Sequence, residues 1–540
     1  MLGRIFKKKT RILPEKSLSQ AKTALVVATG QLTKPGRSPD EEFGQLFHDV
    51  QTARVYGDGK TFVDMVPRKP ARDVKKRYAL ARKDPAFDIG RFVDEHFYEF
   101  SPTQKRQPYA PTANMTAREH VRSLWDELKR RNRKNNGSLF ALPYEYVVPG
   151  GRFSEQFYWD TYFIMLGLAA DDRWELIQGM IKNYAYMLRK FGFIPTANRT
   201  YFLSRSQPPF FSHMIKLLAR HRGRTVTYAE YLPSLLTEYR FWMKGRKALR
   251  DNVENRAVAR VVSMPNGTIL NRYYDNKVTP RPESRFEDLE TAEHAESVNK
   301  EKIFLDLRAG AESGWDFSSR WFRDADDIQS IYTTDIVAVD LNSLLYHLEQ
   351  TIADAYTTIK QPLLAKRFRR AAERRAEAIR NYCWDPRAQY FCDHDFRAGK
   401  PTGNLTLAGV FPLYVKLATS EQAAAVAKRI EEDFLRDGGL LTTLATNGQQ
   451  WDAPNGWAPL HWIVICGLRE YGYYELANKI RDRWVKTNEL VFDRERKMIE
   501  KYDVTHPGNL GGGGEYALQD GFGWTNGVYA ALKDETTKHG

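Results

Sequence analysis

The chain has 540 residues, 42% of them hydrophobic and 13% aromatic, with a formal net charge of +15. That apolar content can bury a large core, as one big catalytic domain or as two or three ordinary ones, and it excludes a disordered chain. The positive charge gathers at Leu2 to Arg11 and Ala365 to Arg380 without the interleaved glycines and aromatics of RNA-binding modules, so no nucleic-acid partner is expected.

Residues 1–41 hold scattered Lys, Pro and Ser without sustained periodicity and read as a tail or irregular arm. Glu15, Lys16 and Lys22 interrupt any apolar stretch, and Ala24 to Ala28 is too short for an ordinary signal segment. No membrane helix is expected either, so the location expected is cytoplasmic, with the periplasm as the alternative. From residue 42 to 535 helical patterning dominates and predicts a single, mainly α-helical catalytic domain, followed by a short C-terminal tail over 536–540. Leu176, Ile177, Met180, Tyr184 and Met187 share a helical face that stops at Gly192. RAVARVVSM and TILNRYY around Pro265, Asn266 and Gly267 predict a hairpin. Further helices are predicted from Leu341 to Ile352, from Ala365 to Arg380 with Arg367, Arg370 and Arg374 towards solvent, from Ala423 to Phe434, and around Leu476, Ile480 and Trp484.

Between these helices lie loops rich in Gly, Pro, Trp and carboxylates. Two stand out: PGGRFSEQFYWDTY at Pro149 to Tyr162 and QWDAPNGWAP at Gln450 to Pro459. Trp and Tyr rings can stack on the C–H faces of a pyranose, carboxylates accept from its hydroxyls, and Arg donates to the same oxygens in a fixed fork. Glycoside cleavage requires one carboxylic acid to protonate the leaving oxygen and a second carboxylate to activate water or attack carbon. Asp160, Glu283, Asp316, Asp452, Glu500, Glu515 and Asp520 all sit in suitable loops, and the residues alone do not rank them. A helix cap for Asp316, or a surface ion pair with Lys501 for Glu500, is the ordinary alternative. Three cysteines give no disulfide framework, and eleven histidines show no HExxH pattern. No metal and no organic cofactor is expected.

The two signatures, with SRSQPP at Ser204 to Pro209, RPE at Arg281 to Glu283, SGWD at Ser313 to Asp316 and EKY at Glu500 to Tyr502 before Gly511 to Gly514, resemble the trehalase family of glycoside hydrolases over residues 42–530. The resemblance implies an (α/α)6 barrel of six outer and six inner helices with the site at one end. It implies trehalose as substrate, glucose as product and an inverting mechanism, with Asp316 as general acid and Glu500 as general base. It assigns sugar binding to Arg152, Trp159, Asp160, Thr196, Asn198, Arg205, Ser206, Gln207, Arg281, Pro282, Glu283, Gly314 and Glu515. Trp451, Trp457, Phe522 and Trp524 are candidate apolar walls. Thr196 departs from the pattern, since the family usually has Asn there, and an altered affinity is expected. A monomer is expected. Another glycosidase of this fold acting on a different α-glucoside, or a non-catalytic sugar binder, is the alternative.

Overall fold

The helix Tyr158–Ala170 is apolar on every side, and every residue from Tyr158 to Leu168 is buried. Such a helix belongs in an interior. It opens an inner ring that continues through Phe211–Arg222, Val339–Thr358, the short Phe411–Tyr414, Ala458–Glu470 and Gly523–His539. Each of these packs on the next, and the last returns to lie along the first. Ala117–Glu127, Trp174–Phe191, Arg224–Trp242, Pro362–Tyr382, Ser420–Arg429 and Tyr474–Glu495 form the outer layer, and one continuous hydrophobic core joins the two layers. The architecture is an (α/α)6 barrel, here seen in a computed structural model that describes residues 35–100, 111–112, 114–250, 256–295 and 299–539.

The outer helices are amphipathic where the inner ones are not. Trp174–Phe191 buries Ile177, Met180, Tyr184 and Met187 and ends at Gly192, as the periodicity predicts. Pro362–Tyr382 turns Arg367, Arg370 and Arg374 to solvent, as expected. The helix predicted from Ala423 to Phe434 is a regular helix only to Arg429. A single π turn, Ile430–Phe434, then keeps Ile430 and Phe434 on the core side.

Closure of the ring depends on a close approach. A Cβ at Gly527 would stand 2.0 Å from the Phe163 carbonyl oxygen, and one at Gly167 would stand 2.7 Å from the Gly527 Cα. The seam between the first and last inner helices is therefore glycine against glycine.

Strands are short and occur in two- and three-stranded sheets. The expected hairpin pairs Val261–Ser263 with Ile269–Asn271, in register Val262 to Leu270. A second pairing, Asn455–Gly456 against Tyr502–Asp503, ties the QWDAPNGWAP loop to the segment carrying Glu500.

Of the arm expected over 1–41, residues 1–34 lie outside the described residues, and a short helix begins at Pro39. Five helices between Pro39 and His96 form a small core of their own around Phe47, Phe62 and Val93, which also includes Phe157 and Phe202 and so brings Asp58 and Lys60 beside the barrel mouth. At the other end, Gly523–His539 runs through residues assigned above to a C-terminal tail. Among the described residues no helix is long and apolar enough to cross a membrane.

Candidate active site

Trp159 and Asp160 lie in the first turn of Tyr158–Ala170, Trp457 caps Ala458–Glu470, and Trp524 lies in the first turn of Gly523–His539. The N-terminal ends of three inner helices thus converge on one cavity. Asp316, Glu500, Arg152, Trp159, Asp160, Thr196, Arg205, Gln207, Arg281, Glu283, Gly314 and Glu515 all line it.

Its floor is indole. The Trp451 and Trp457 rings stack with centroids 3.9 Å apart and 3° between planes, and Trp315 stacks on the other face of the cluster at 5.3 Å from Trp451. Trp159 leans on Trp451 at 5.8 Å and meets Trp524 edge-on at 5.7 Å. Gly314 is dictated by this packing. Its φ is +75°, and a Cβ there would lie 2.9 Å from the Trp159 ring.

Asp316 follows the helix Lys300–Glu312, and several anchors hold its loop. Gln450 donates through Nε2 to the Asp316 carbonyl, and the Trp451 N–H donates to the Phe317 carbonyl at 3.2 Å. Asp452 accepts from the Ser318 hydroxyl at 2.8 Å, from the Ser319 N–H at 2.8 Å and from Thr443 at 2.8 Å. Glu312, fully buried, accepts from the backbone N–H groups of Ser206 and Tyr274 and from Arg260, which fixes the SRSQPP loop against the same helix. The Asp316 side chain is 38% exposed through the mouth of the cavity, though protein crowds it on the remaining sides. Desolvation is the main influence on its carboxyl, opposed by Arg281 and reinforced by Glu515, and the pKa is pushed up to about 7.

The arginines hold carboxylates of their own. Arg281 pairs with Asp288 at 2.6 Å and Glu515 at 3.0 Å, and approaches Asp316 at 4.0 Å without bonding it. Removing one partner of the buried Arg281–Asp288 pair would strand a charge at a cost of about 3–5 kcal/mol. Arg205 pairs with Glu283, yet Arg205 Nη1 and Nε and Glu283 Oε2 lack hydrogen-bond partners among the described residues. Buried polar atoms left open in a cavity suit a ligand rich in hydroxyls. Arg152 reaches Asp58 at 3.3 Å and lies 4.9 Å from the Tyr516 ring centroid.

Glu500 is treated differently. Its side chain is only 2% exposed; it accepts from the Tyr516 hydroxyl at 2.8 Å and from Lys501 Nζ at 3.4 Å. Burial raises its pKa, while Lys501 and Tyr516 pull it back towards the ordinary range. Asp160, 4% exposed, is held well above the usual carboxylate range by burial first and then by Glu500 and Asp316.

Three expected contacts stand behind the wall instead. Asn198 is fully buried; its amide accepts from the Gln156 N–H at 2.8 Å and donates to the Phe140 carbonyl at 3.2 Å, so its polar atoms are spent inside the fold. Ser206 donates to the Ile194 carbonyl at 2.6 Å. Pro282 opens a 3-10 turn whose carbonyl accepts from Gln51. Thr196 does line the cavity, but its hydroxyl proton goes to the Ser206 carbonyl at 2.9 Å, leaving only lone pairs for a ligand. Tyr516, Asp58, Lys60 and Glu287 line the cavity without having been singled out from the sequence. Tyr516 adjoins Glu515 and was legible by that adjacency; Asp58 and Lys60 belong to no motif.

Residues 54–536 match the family described as Trehalase. The chain belongs to the trehalase family. It is 44% identical over 504 residues to a protein named periplasmic trehalase from Salmonella newport, covering 93% of this chain and 87% of that one. The periplasmic trehalase of Citrobacter koseri is 44% identical over 509 residues, covering 94% and 88%. Among solved structures, neutral trehalase from Saccharomyces cerevisiae superposes with a TM-score of 0.60 at 27% identity, over 73% of this chain and 74% of that one. A mannosylglycerate hydrolase of Thermus thermophilus in complex with glucose, 18% identical with a TM-score of 0.51 over 77% of this chain and 99% of that one, shares the fold. The relatives named periplasmic overturn the cytoplasmic location expected above. That expectation rested on charges interrupting one short apolar stretch, a criterion too local to assign a compartment.

Proposed function

We propose that the protein is an inverting α,α-trehalase that hydrolyses trehalose to two molecules of glucose. The observation that carries this reading is the unequal pair of carboxyls in one cavity: Asp316 lies 4.0 Å from an arginine engaged elsewhere, with its pKa pushed up by burial, while Glu500 is held by an ammonium and a phenol. Asp316 gives its proton to the bridging oxygen as that bond breaks. Glu500 takes a proton from water, which attacks the anomeric carbon from the opposite face. One glucose ring rests against the Trp159 and Trp451 floor, with Arg152, Arg205 and Arg281 donating to its hydroxyls and Glu283 accepting from them.

Membership of the trehalase family, with relatives at 44% identity named trehalases, favours trehalose over another α-glucoside. A periplasmic location is the companion proposal, tested by cell fractionation.

Proton NMR of the first products decides the mechanism. Inversion releases one α- and one β-glucose from each trehalose, and two α-glucoses would exclude it. Comparable turnover of maltose or sucrose would exclude trehalose as the specific substrate.

A further inference from the structure

Lys501 is 1% exposed, although as the neighbour of Glu500 it reads in sequence as half of a surface ion pair. A buried ammonium is costly unless its protons are used. Lys501 Nζ donates to Gln450 Oε1 at 2.9 Å and to Glu500 Oε2 at 3.4 Å, and it lies 5.2 Å from the Trp457 ring centroid and 5.4 Å from that of Tyr516. The other end of the Gln450 amide donates to the Asp316 main-chain carbonyl. The antiparallel pairing of Asn455 with Asp503 and Gly456 with Tyr502 sets the register of the two segments that supply Gln450 and Lys501.

We infer that Gln450 and Lys501 are positioning residues forming one bridge, which fixes the backbone of the Asp316 loop against the Glu500 carboxylate and keeps that carboxylate anionic. The inference rests on the acid and base roles proposed above. Lys501 acts on charge and Gln450 on geometry, so their losses should differ in kind. The groups facing Glu500 are Lys501 beside it, the Tyr516 hydroxyl, the Arg152 guanidinium and the Asp160 carboxyl. Of these, Lys501 is the cation that bonds it directly. Burial pushes the Glu500 pKa up and Lys501 is the largest opposing influence.

The test is the pH profile of kcat/KM on trehalose, with kcat and KM also measured separately. Replacing Lys501→Met should move the acidic limb to higher pH by about one unit or more, because an ion-paired carboxylate loses its cation. Lys501→Arg, which keeps the charge, should return the limb towards the wild-type position. Gln450→Met should leave the limb in place and lower kcat by about tenfold with KM little changed, as expected when a catalytic group loses its alignment. An acidic limb unmoved in a folded Lys501→Met protein, or an unchanged kcat in Gln450→Met, would overturn the inference. Should thermal melting show that Lys501→Met does not fold, Gln450→Met decides alone. Near wild-type turnover in Glu500→Gln would sink the base assignment itself. An inactive Glu500→Gln combined with an unmoved limb would sink only the bridge.

Discussion

Asp316 and Glu500 carry similar carboxyl groups into one cavity, and the protein surrounds them in opposite ways. The Asp316 loop is anchored through its backbone and flanking residues, by Gln450, Trp451 and Asp452, while its carboxyl lies 4.0 Å from a guanidinium already engaged by Asp288 and Glu515. Glu500 is bonded at the carboxylate itself, by Tyr516 and Lys501. Proximity of arginine alone therefore does not make a carboxyl acidic. Burial raises both carboxyls, and donors bonded directly to Glu500 pull it back towards the ordinary range, so one cavity can hold both a proton donor and a proton acceptor near neutral pH.

The largest effect that can break this contrast is loss of either group. Asp316→Asn and Glu500→Gln should each lower kcat on trehalose by about 10² to 10⁴. Fluoride leaves without protonation, so α-glucosyl fluoride separates the roles: Asp316→Asn should hydrolyse it far better than trehalose, and Glu500→Gln should not. Equal losses on both substrates in both variants would erase the distinction. A smaller effect concerns the acid's surroundings. Glu515→Gln removes a negative neighbour of the Asp316 carboxyl and one of the two carboxylates that engage Arg281, so the Asp316 pKa should fall below about 7. The alkaline limb of kcat/KM should then move to lower pH, by about one unit; movement upward would contradict the assignment.

The smallest effect is a control outside the cavity. Glu238 is buried with the Tyr158 hydroxyl as its donor, its other oxygen lacks a partner among the described residues, and burial raises its pKa to about 8. Folding thus favours its neutral form. The sign follows: its contribution to stability is fully present below the ordinary pKa of 4.5 and is lost as pH rises towards about 8. Glu238→Gln should leave trehalose turnover unchanged and raise Tm by a few degrees at pH 8–9, with the advantage fading towards pH 4.5 in a differential scanning series.

Helical faces were readable because burial repeats with the helix. Ile177, Met180, Tyr184 and Met187 point inward for that reason. The family's loops were readable because SGWD and EKY keep their residue types in order, and twelve of the residues expected at the site do line the cavity. What sequence could not reveal was direction. Asn198 and Ser206 belong to the same motifs as Thr196 and Arg205, yet their polar atoms turn into the fold to satisfy backbone groups. Lys501 reads as exposed because lysine ordinarily is, and its burial is tolerable because Gln450, 51 residues away, accepts from it alongside Glu500. Closure of the ring by the last helix is likewise a long-range pairing with no local signal.

That glycine seam has a consequence for the order in which the protein comes into being. During synthesis the first inner helix, Tyr158–Ala170, is made well before Gly523–His539, the helix that must lie against it. Until then the Phe163 carbonyl and Gly167 lack the close approach of Gly527, the floor lacks Trp524, and the Glu500 carbonyl lacks the indole N–H that Trp524 donates to it at 3.2 Å. Such non-local pairing is intrinsically slow to form. A chain cut short before Gly523 is therefore an open ring whose cavity lacks Trp524.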